Sequence, residues 1–490
     1  MDSLTRPLTA TDLLTGTFPV KVGMISLGCA KNLVDAEVML GDIVNHGMEV
    51  TRNAEEADVL IVNTCAFIDS AKEESIEAIL HAHEKRGLRR RPGQKLIVSG
   101  CLAQRFSNEL ADEMPEVDAF MGLDQIEKAG EIVRSVVGTA RANTGPLNFV
   151  TPKSRYIPDY TTPRFRLTPS HFAYLKIAEG CNHPCSFCVI PQMRGRHRSR
   201  SMQSVEAEVR RLVLEGVKEI NLISQDTTYY GMDLWDRKAG PKQPVDSSRG
   251  PTLTRLLERI EAIPGDFWVR LLYTHPAHWS PELIEALAAS SKVAKYIDMP
   301  LQHIDEEMLG LMRRETTRQH VEYLIEAIRE GIPGVTLRTT FIVGFPGEKE
   351  EHFAALLEFI ERVRFQRLGI FTYSREEGSR AAKMANQVPA ATKAKRYRQA
   401  MELQQRIAYE HAGTMIGKEI KALVEQPLIA RSEGDAPEVD TRILLSRPAP
   451  VGTFTKVLVT GTQTYDLRGD PVEMPSGTSE AAPQTNGYTD

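Results

Sequence analysis

Ala173-Tyr-Leu-Lys-Ile-Ala-Glu-Gly-Cys181-Asn-His-Pro-Cys185-Ser-Phe-Cys188 runs a short apolar strand straight into three cysteines spaced C-x3-C-x2-C. Three thiolates on one short loop can hold three irons of a cubane 4Fe-4S cluster and leave the fourth iron open to a small molecule. The bland alternative is a structural zinc knot closed by His183 or His197. Zinc sites normally close with four protein ligands from paired C-x2-C or C-x2-C/H-x3-H blocks, which this spacing matches poorly.

Working outward from that loop, five further apolar runs follow it: Glu219-Ile-Asn-Leu-Ile223, Trp268-Val-Arg-Leu-Leu-Tyr273, Tyr296-Ile-Asp-Met-Pro300, Leu337-Arg-Thr-Thr-Phe-Ile-Val343 and Arg367-Leu-Gly-Ile-Phe371. Helical patterns separate them, for example 204–215 closed by Gly216, and 350–363. Six such units predict a partial β/α barrel over 171–412. The stretch 231–249, rich in Gly, Pro, Lys and Asp, reads as a surface insertion within it.

Upstream, Lys21-Val-Gly-Met-Ile-Ser-Leu27, Asp58-Val-Leu-Ile-Val-Asn63 and Lys95-Leu-Ile-Val-Ser99 alternate with helical segments near 34–45 and 70–83. This is the βαβ pattern of an open parallel sheet, expected over 21–138. Cys29, Cys65 and Cys101 each come one or two residues after one of these strands, at equal 36-residue intervals. All carboxyl ends of an open parallel sheet face one side, so three strand-end thiols can converge on a second metal centre. The competing reading is three buried structural cysteines, since free Cys behaves as a small hydrophobe. Their shared topological position and small neighbours, Gly28, Thr64 and Gly100, favour the metal centre. No cysteine is left over.

The stretch 139–170 has prolines at 146, 152, 158, 163 and 169 and reads as a linker. A long amphipathic pattern at 390–411 leads into 413–472, whose short runs alternate with turn residues as in a small antiparallel β barrel. Residues 1–20 and 473–490 are expected to be flexible. Lys plus Arg number 60 against 65 Asp plus Glu, so the overall field gives no general attraction to phosphates. There is no run of eighteen apolar residues and no secretory leader pattern, which predicts a cytoplasmic protein with no membrane partner. Clustered cysteines in a reducing compartment point to metal or catalysis rather than disulfides.

With Phe187 just before its third cysteine, and with its place after the first barrel strand, the C-x3-C-x2-C loop resembles the radical S-adenosylmethionine (radical SAM) superfamily. The order of a three-cysteine sheet domain, a radical barrel and a small β barrel resembles the methylthiotransferases over 21–470, with a TRAM-like final module. That resemblance implies two 4Fe-4S clusters, one on Cys29, Cys65 and Cys101 and one on Cys181, Cys185 and Cys188, the second binding S-adenosylmethionine. It further implies two S-adenosylmethionine molecules per turnover, one supplying a methyl group to sulfur on the first cluster and one generating a 5′-deoxyadenosyl radical. Phe187 would lie beside the adenine, and the backbone at Gly344, Pro346 and Gly347 would approach the cofactor. One or more of Arg194, Arg196, Arg198 and Arg200 could pair with the cofactor carboxylate or an acidic substrate group. Gln302, His303 and His275 can equally be satisfied polar residues.

The family divides by substrate. Gly28-Cys-Ala-Lys-Asn-Leu-Val-Asp-Ala-Glu37 resembles the form G-C-P-K-N-L-V-D-S-E of the branch acting on an aspartate of small-subunit ribosomal protein twelve, whereas the tRNA branch usually shows G-C-Q-M-N. Ala30 and Ala36 depart from that form and leave Cys29 untouched. Tyr296-Ile-Asp-Met-Pro-Leu-Gln-His303 and the run from Arg338 to Glu348 are of the same branch. The implied reaction is methylthiolation of the aspartate β-carbon; tRNA adenosine C2 is the alternative substrate. A reducing electron donor, flavodoxin-like or of another kind, is required and is not named by the sequence. From Thr414 to Asp470 there are seven Lys or Arg against eight Asp or Glu, a balance that argues against direct nucleic-acid binding and for docking a basic protein.

Overall fold

In the computed structural model, residues 19–88, 93–138 and 145–472 are described. The expectations for 1–18, 139–144 and 473–490 lie outside them. In the first sheet, β1 (Lys21–Ser26), β2 (Glu49–Thr51), β3 (Val59–Thr64), β4 (Lys95–Gly100), β5 (Ala119–Met121) and β6 (Leu147–Asn148) pair in parallel in the order β2-β1-β3-β4-β5-β6. Strand β3 is buried along its whole length. Its alternate residues separate onto two faces: Val59 and Ile61 join one apolar cluster, Leu60 and Val62 the other. A strand covered by helices on both sides reads as a continuous apolar run for this reason.

The second sheet is also parallel. Strands β7 (Phe172–Lys176), β10 (Glu219–Ile223), β11 (Trp268–Leu271), β12 (Val293–Asp298), β13 (Thr336–Val343) and β14 (Arg367–Thr372) lie side by side in chain order, with β7 and β14 as free edges. Two-residue strands β8 (Ala178–Glu179) and β9 (Arg198–Ser199) form a separate antiparallel clamp. Helices including Met202–Leu214, Leu253–Glu261, Arg318–Gly331 and Glu350–Val363 cover the outer face. Outward residues such as Leu175, Leu222, Val269, Ile297 and Leu337 pack under them. Residues of the other parity, Tyr174, Lys176, Glu219, Asn221, Arg270, Tyr296 and Asp298, make a buried inner face that is polar and aromatic. Period-two alternation therefore sets an apolar outside against a chemically equipped inside.

Strands β15 (Glu419–Gln426), β16 (Ile429–Ser432), β17 (Ile443–Leu445), β18 (Phe454–Gln463) and β19 (Asp466–Val472) close into a five-stranded barrel. Four of its ladders are antiparallel, and β17 with β19 runs parallel. The segment between β16 and β17 leaves this barrel and enters the radical domain, where Ala436 packs with Tyr174 and Tyr296. From the other side Val34, on the helix Ala30–Asn45, joins the same cluster.

Two stretches behave differently from their composition. The proline-rich run after 145 has one short strand, yet Arg164 ties it to Glu37 (2.7 Å), Glu208 (3.0 Å) and the Tyr174 carbonyl (2.6 Å). The expected surface insertion at 231–249 buries Met232, Trp235 and Ala239 against Tyr229, and the Trp235 indole donates to the Pro251 carbonyl at 2.9 Å. Its polar majority hid the few large apolar residues that anchor it.

Candidate active site

Each early cysteine follows a central strand of the first sheet. Cys65 and Cys101 come directly after β3 and β4, and Cys29 comes three residues after β1 as the residue before the helix Ala30–Asn45. Gly28 has φ +87°, and a side chain there would run into Cys65 Cβ and Sγ, so glycine is what brings the two loops together. Asn32 ties the same ends, donating to the carbonyls of Leu27 (2.8 Å) and Thr64 (3.0 Å). Cys65 and Cys101 are buried; Cys29 is accessible but crowded by protein, as in a recess.

The second triad hangs between β8 and β9. Cys181 N–H donates to the Gly195 carbonyl at 3.1 Å, and Gly180 has φ +82° with the Arg196 carbonyl where a Cβ would be. Arg314 donates to Cys185 Sγ at 3.4 Å and the Ile190 N–H to Cys188 Sγ at 3.5 Å. His183 cannot close a zinc knot without losing partners, because its Nδ1 meets Glu315 at 2.6 Å and its Nε2 meets Asp226 at 2.7 Å. Those two carboxylates outweigh burial and hold the imidazole up at about 9. His275 stacks on His183 with centroids 3.8 Å apart.

All six cysteines are free thiols. Burial first, and neighbouring thiols second, push Cys65 and Cys188 up to about 12 and Cys181 well above its ordinary value. Burial raises Cys101 as well, against the opposing Arg194. At Cys29 burial is outweighed by Lys31 and Arg194, and the thiol is lowered. Thiols crowded in this way ionise together only with cations among the sulfurs, and a coordinating thiol is deprotonated outright. Two sets of three sulfurs thus suit iron-sulfur clusters with one open iron each.

Arg194, at the end of the short helix Ile190–Arg194 after the second triad, joins the two sites. Its guanidinium donates to Cys101 Sγ (3.3 Å), Asn32 (3.3 Å), Asp35 (3.0 Å) and Glu179 (3.1 Å). Lys176 reaches the same carboxylates, Asp35 at 2.5 Å and Glu179 at 2.6 Å. This quartet of two cations and two anions is buried and internally neutral.

Of the other sequence candidates, Phe187 packs with Met308, Met312 and Phe345. Gly344 (φ +74°) has the Lys393 stem where its Cβ would be, and its N–H and that of Phe345 are received by Glu348, which pairs with Arg396. Pro346 is buried and the Gly347 N–H donates to the Asn386 carbonyl at 2.9 Å. Arg200 is spent on Glu208 and the Lys176 carbonyl, and Arg198 on the carbonyls of Arg194, Arg196 and Tyr156. Arg196 is exposed. Sequence reasoning missed Lys31, Asp35, Lys176, Glu179, Asp226 and Arg314. For Asp35 and Lys31 the signal was their place in the segment from Gly28 to Glu37, and for Lys176 and Glu179 their place in the run leading into Cys181; for Asp226 and Arg314 there was none. A cavity of about 420 Å³ between the radical domain and the C-terminal barrel is lined by none of the cysteines.

Family models match the Uncharacterized protein family UPF0004 over residues 21–122, the Radical SAM superfamily over 175–360 and the TRAM domain over 416–472. Among solved structures, the radical S-adenosylmethionine methyltransferase TsrM from Kitasatospora setae shares the fold, with a TM-score of 0.51 at 15 % identity over 72 % of each chain. Fold and cysteines together define a radical SAM protein with an added three-cysteine sheet and a TRAM barrel. The chain is 58 % identical over 455 residues to the ribosomal protein uS12 methylthiotransferase RimO of Opitutus terrae, covering 92 % of this chain and 97 % of that protein. The corresponding protein of Akkermansia muciniphila is 53 % identical over 454 residues, covering 92 % of this chain and 100 % of that protein. The chain belongs to the RimO family of radical SAM methylthiotransferases.

Proposed function

We propose that this enzyme places a methylthio group on the β-carbon of an aspartate of ribosomal protein uS12, using two 4Fe-4S clusters and two S-adenosylmethionine molecules. Cys181, Cys185 and Cys188 hold one cluster, and Cys29, Cys65 and Cys101 the other. When bound, the former with S-adenosylmethionine supplies the radical that removes a carbon-bound hydrogen, and the latter supplies the sulfur. The observation that carries this reading is the reach of Arg194 from the end of the second cysteine loop to Cys101 of the first triad.

This chain's own residues prepare that chemistry in three ways. Arg194 and Lys176, neutralised by Asp35 and Glu179, lock the N-terminal sheet onto the radical domain. Burial of Cys65 and Cys101 keeps water from two of the three sulfurs. The polar inner face of the barrel, with Asp298 held by Arg338 at 2.8 Å and by the Tyr273 N–H at 3.0 Å, orients what enters between the two sites. Phe187 and the backbone at Gly344, Pro346 and Gly347 are the part of the site assigned to S-adenosylmethionine. An electron donor of low potential, flavodoxin-like or another, completes the reaction.

Anaerobic reconstitution tests this assignment. About eight irons per chain are expected. Cys185→Ala should abolish 5′-deoxyadenosine formation, while Cys65→Ala should retain it and lose sulfur insertion. Stoichiometric zinc without iron, or 5′-deoxyadenosine from the Cys185 variant, overturns the assignment.

A further inference from the structure

Lys31 is the one cation in the buried interface between the two cysteine triads that has no acceptor among the described residues. It lies two residues after Cys29 in the first turn of the helix Ala30–Asn45, and 8 % of it is exposed. Its ammonium sits 2.9 Å from the centroid of the Tyr273 ring, so an aromatic face is its contact. Each carboxylate around it is already committed. Asp35 receives Lys176 and Arg194; Glu179 receives Lys176, Arg194 and Gln225; Asp298 receives Arg338 and the Tyr273 N–H. An ammonium in a buried side chain without a hydrogen-bonded anion is costly, and beside Lys31 stand only the Cys29 thiol, whose ionisation it favours, and carboxylates held by other cations.

Tyr273 adds a second, independent mark. It lies just past the carboxyl end of β11, where ligands of parallel sheets gather, and holds φ +62° although it is neither Gly nor Asn. Backbone strain of this kind persists where the surroundings fix it, and it clusters at functional sites. Here it turns the Tyr273 ring under Lys31, across the junction between the N-terminal sheet and the radical domain.

We infer that Lys31 receives the side-chain carboxylate of the substrate aspartate and makes the enzyme specific for that acid. This rests on the uS12 reading above and deepens it. Lys31 and Cys29, on the same helix start, would present the aspartate to the sulfur-delivering site. A charge-assisted N–H···O bond from the ammonium gains its full value only when the acceptor is a carboxylate, so the neutral amide is the informative competitor.

The test uses reconstituted holoenzyme and two probes, uS12 and uS12 with its target aspartate changed to asparagine, with dissociation constants measured anaerobically. The wild type should bind the aspartate form about tenfold or more tightly than the asparagine form. Lys31→Met keeps the side-chain length and removes the charge; it should bind both forms alike with its irons still in place, and Lys31→Arg should restore the preference. The inference is overturned if Lys31→Met keeps the wild-type preference, if the wild type has none, or if Lys31→Met loses the irons of the first triad, which would make Lys31 a balancing charge for the cluster. Failure of the wild type to methylthiolate uS12 at all would instead count against the function proposed above.

Discussion

His303 shows what burial does to one ionisable group in this fold. Its Nδ1 accepts the Asp305 N–H at 3.0 Å, and burial, opposed by Asp305 and assisted by His352 and Arg396, pushes the imidazole down to about 3. The folded chain keeps it neutral while an unfolded chain protonates it near 6.5, so between those values the unfolded state binds more protons. Stability then falls as pH falls through that window, by about 1.4 kcal/mol per pH unit from this group. His303→Gln should lose that component. Urea midpoints of both proteins near pH 7.5 and pH 5.5 check it, and an equal acid loss in the variant would count against the assignment. Single residues were legible in the sequence to the extent that their spacing carried chemistry: the grouping of the cysteines into two triads was, because C-x3-C-x2-C and equal strand-end intervals have few physical readings. Gly344 was legible as a turn but not in its packing, since the Lys393 stem that covers it comes from a distant helix.

Between elements, the least legible contacts carry the heaviest charges. Glu219 at the start of β10 is fully buried and receives Arg270 from β11 at 2.7 Å and Arg431 from β16 at 2.6 Å. Removing that carboxylate leaves the buried Arg270 guanidinium without its anion and Arg431 with Glu425 alone. Glu219→Ala should therefore destabilise the chain by about 3–5 kcal/mol, read as a lower urea midpoint, and should make the C-terminal barrel more easily cleaved by protease. An unchanged midpoint would mean that the C-terminal barrel is not held there. The parallel strands themselves were legible from their apolar runs. Ion pairs such as Lys176–Asp35 were not, since partners 141 residues apart leave no periodicity to read.

For the molecule as a whole, the charge count of the last module needs correction by the structure. Its sequence balance of seven cations to eight anions suggested a surface suited to a basic protein. Four of those anions are turned inward: Glu425 pairs with Arg431, Asp435 with Arg367, Asp440 with Tyr296, and Glu433 accepts the Lys295 N–H, while the exposed Glu438 accepts from the Tyr174 hydroxyl. Meanwhile Lys418, Lys421, Arg442, Arg447, Lys456 and Arg468 are exposed. A count along the chain cannot tell which charges an interface consumes, and the substrate reading rests on the family and on the site. Among the described residues no helix is long and apolar enough to cross a membrane. The central claim is a radical methylthiotransferase whose two cysteine triads act on a ribosomal aspartate. Its most direct test incubates the reconstituted enzyme anaerobically with S-adenosylmethionine and reductant, with either uS12 or unmodified tRNA, and reads the mass of each substrate. The account predicts a methylthio gain on the uS12 aspartate and none on tRNA; a gain on tRNA alone, or an unmodified uS12 alongside full S-adenosylmethionine cleavage, would contradict it.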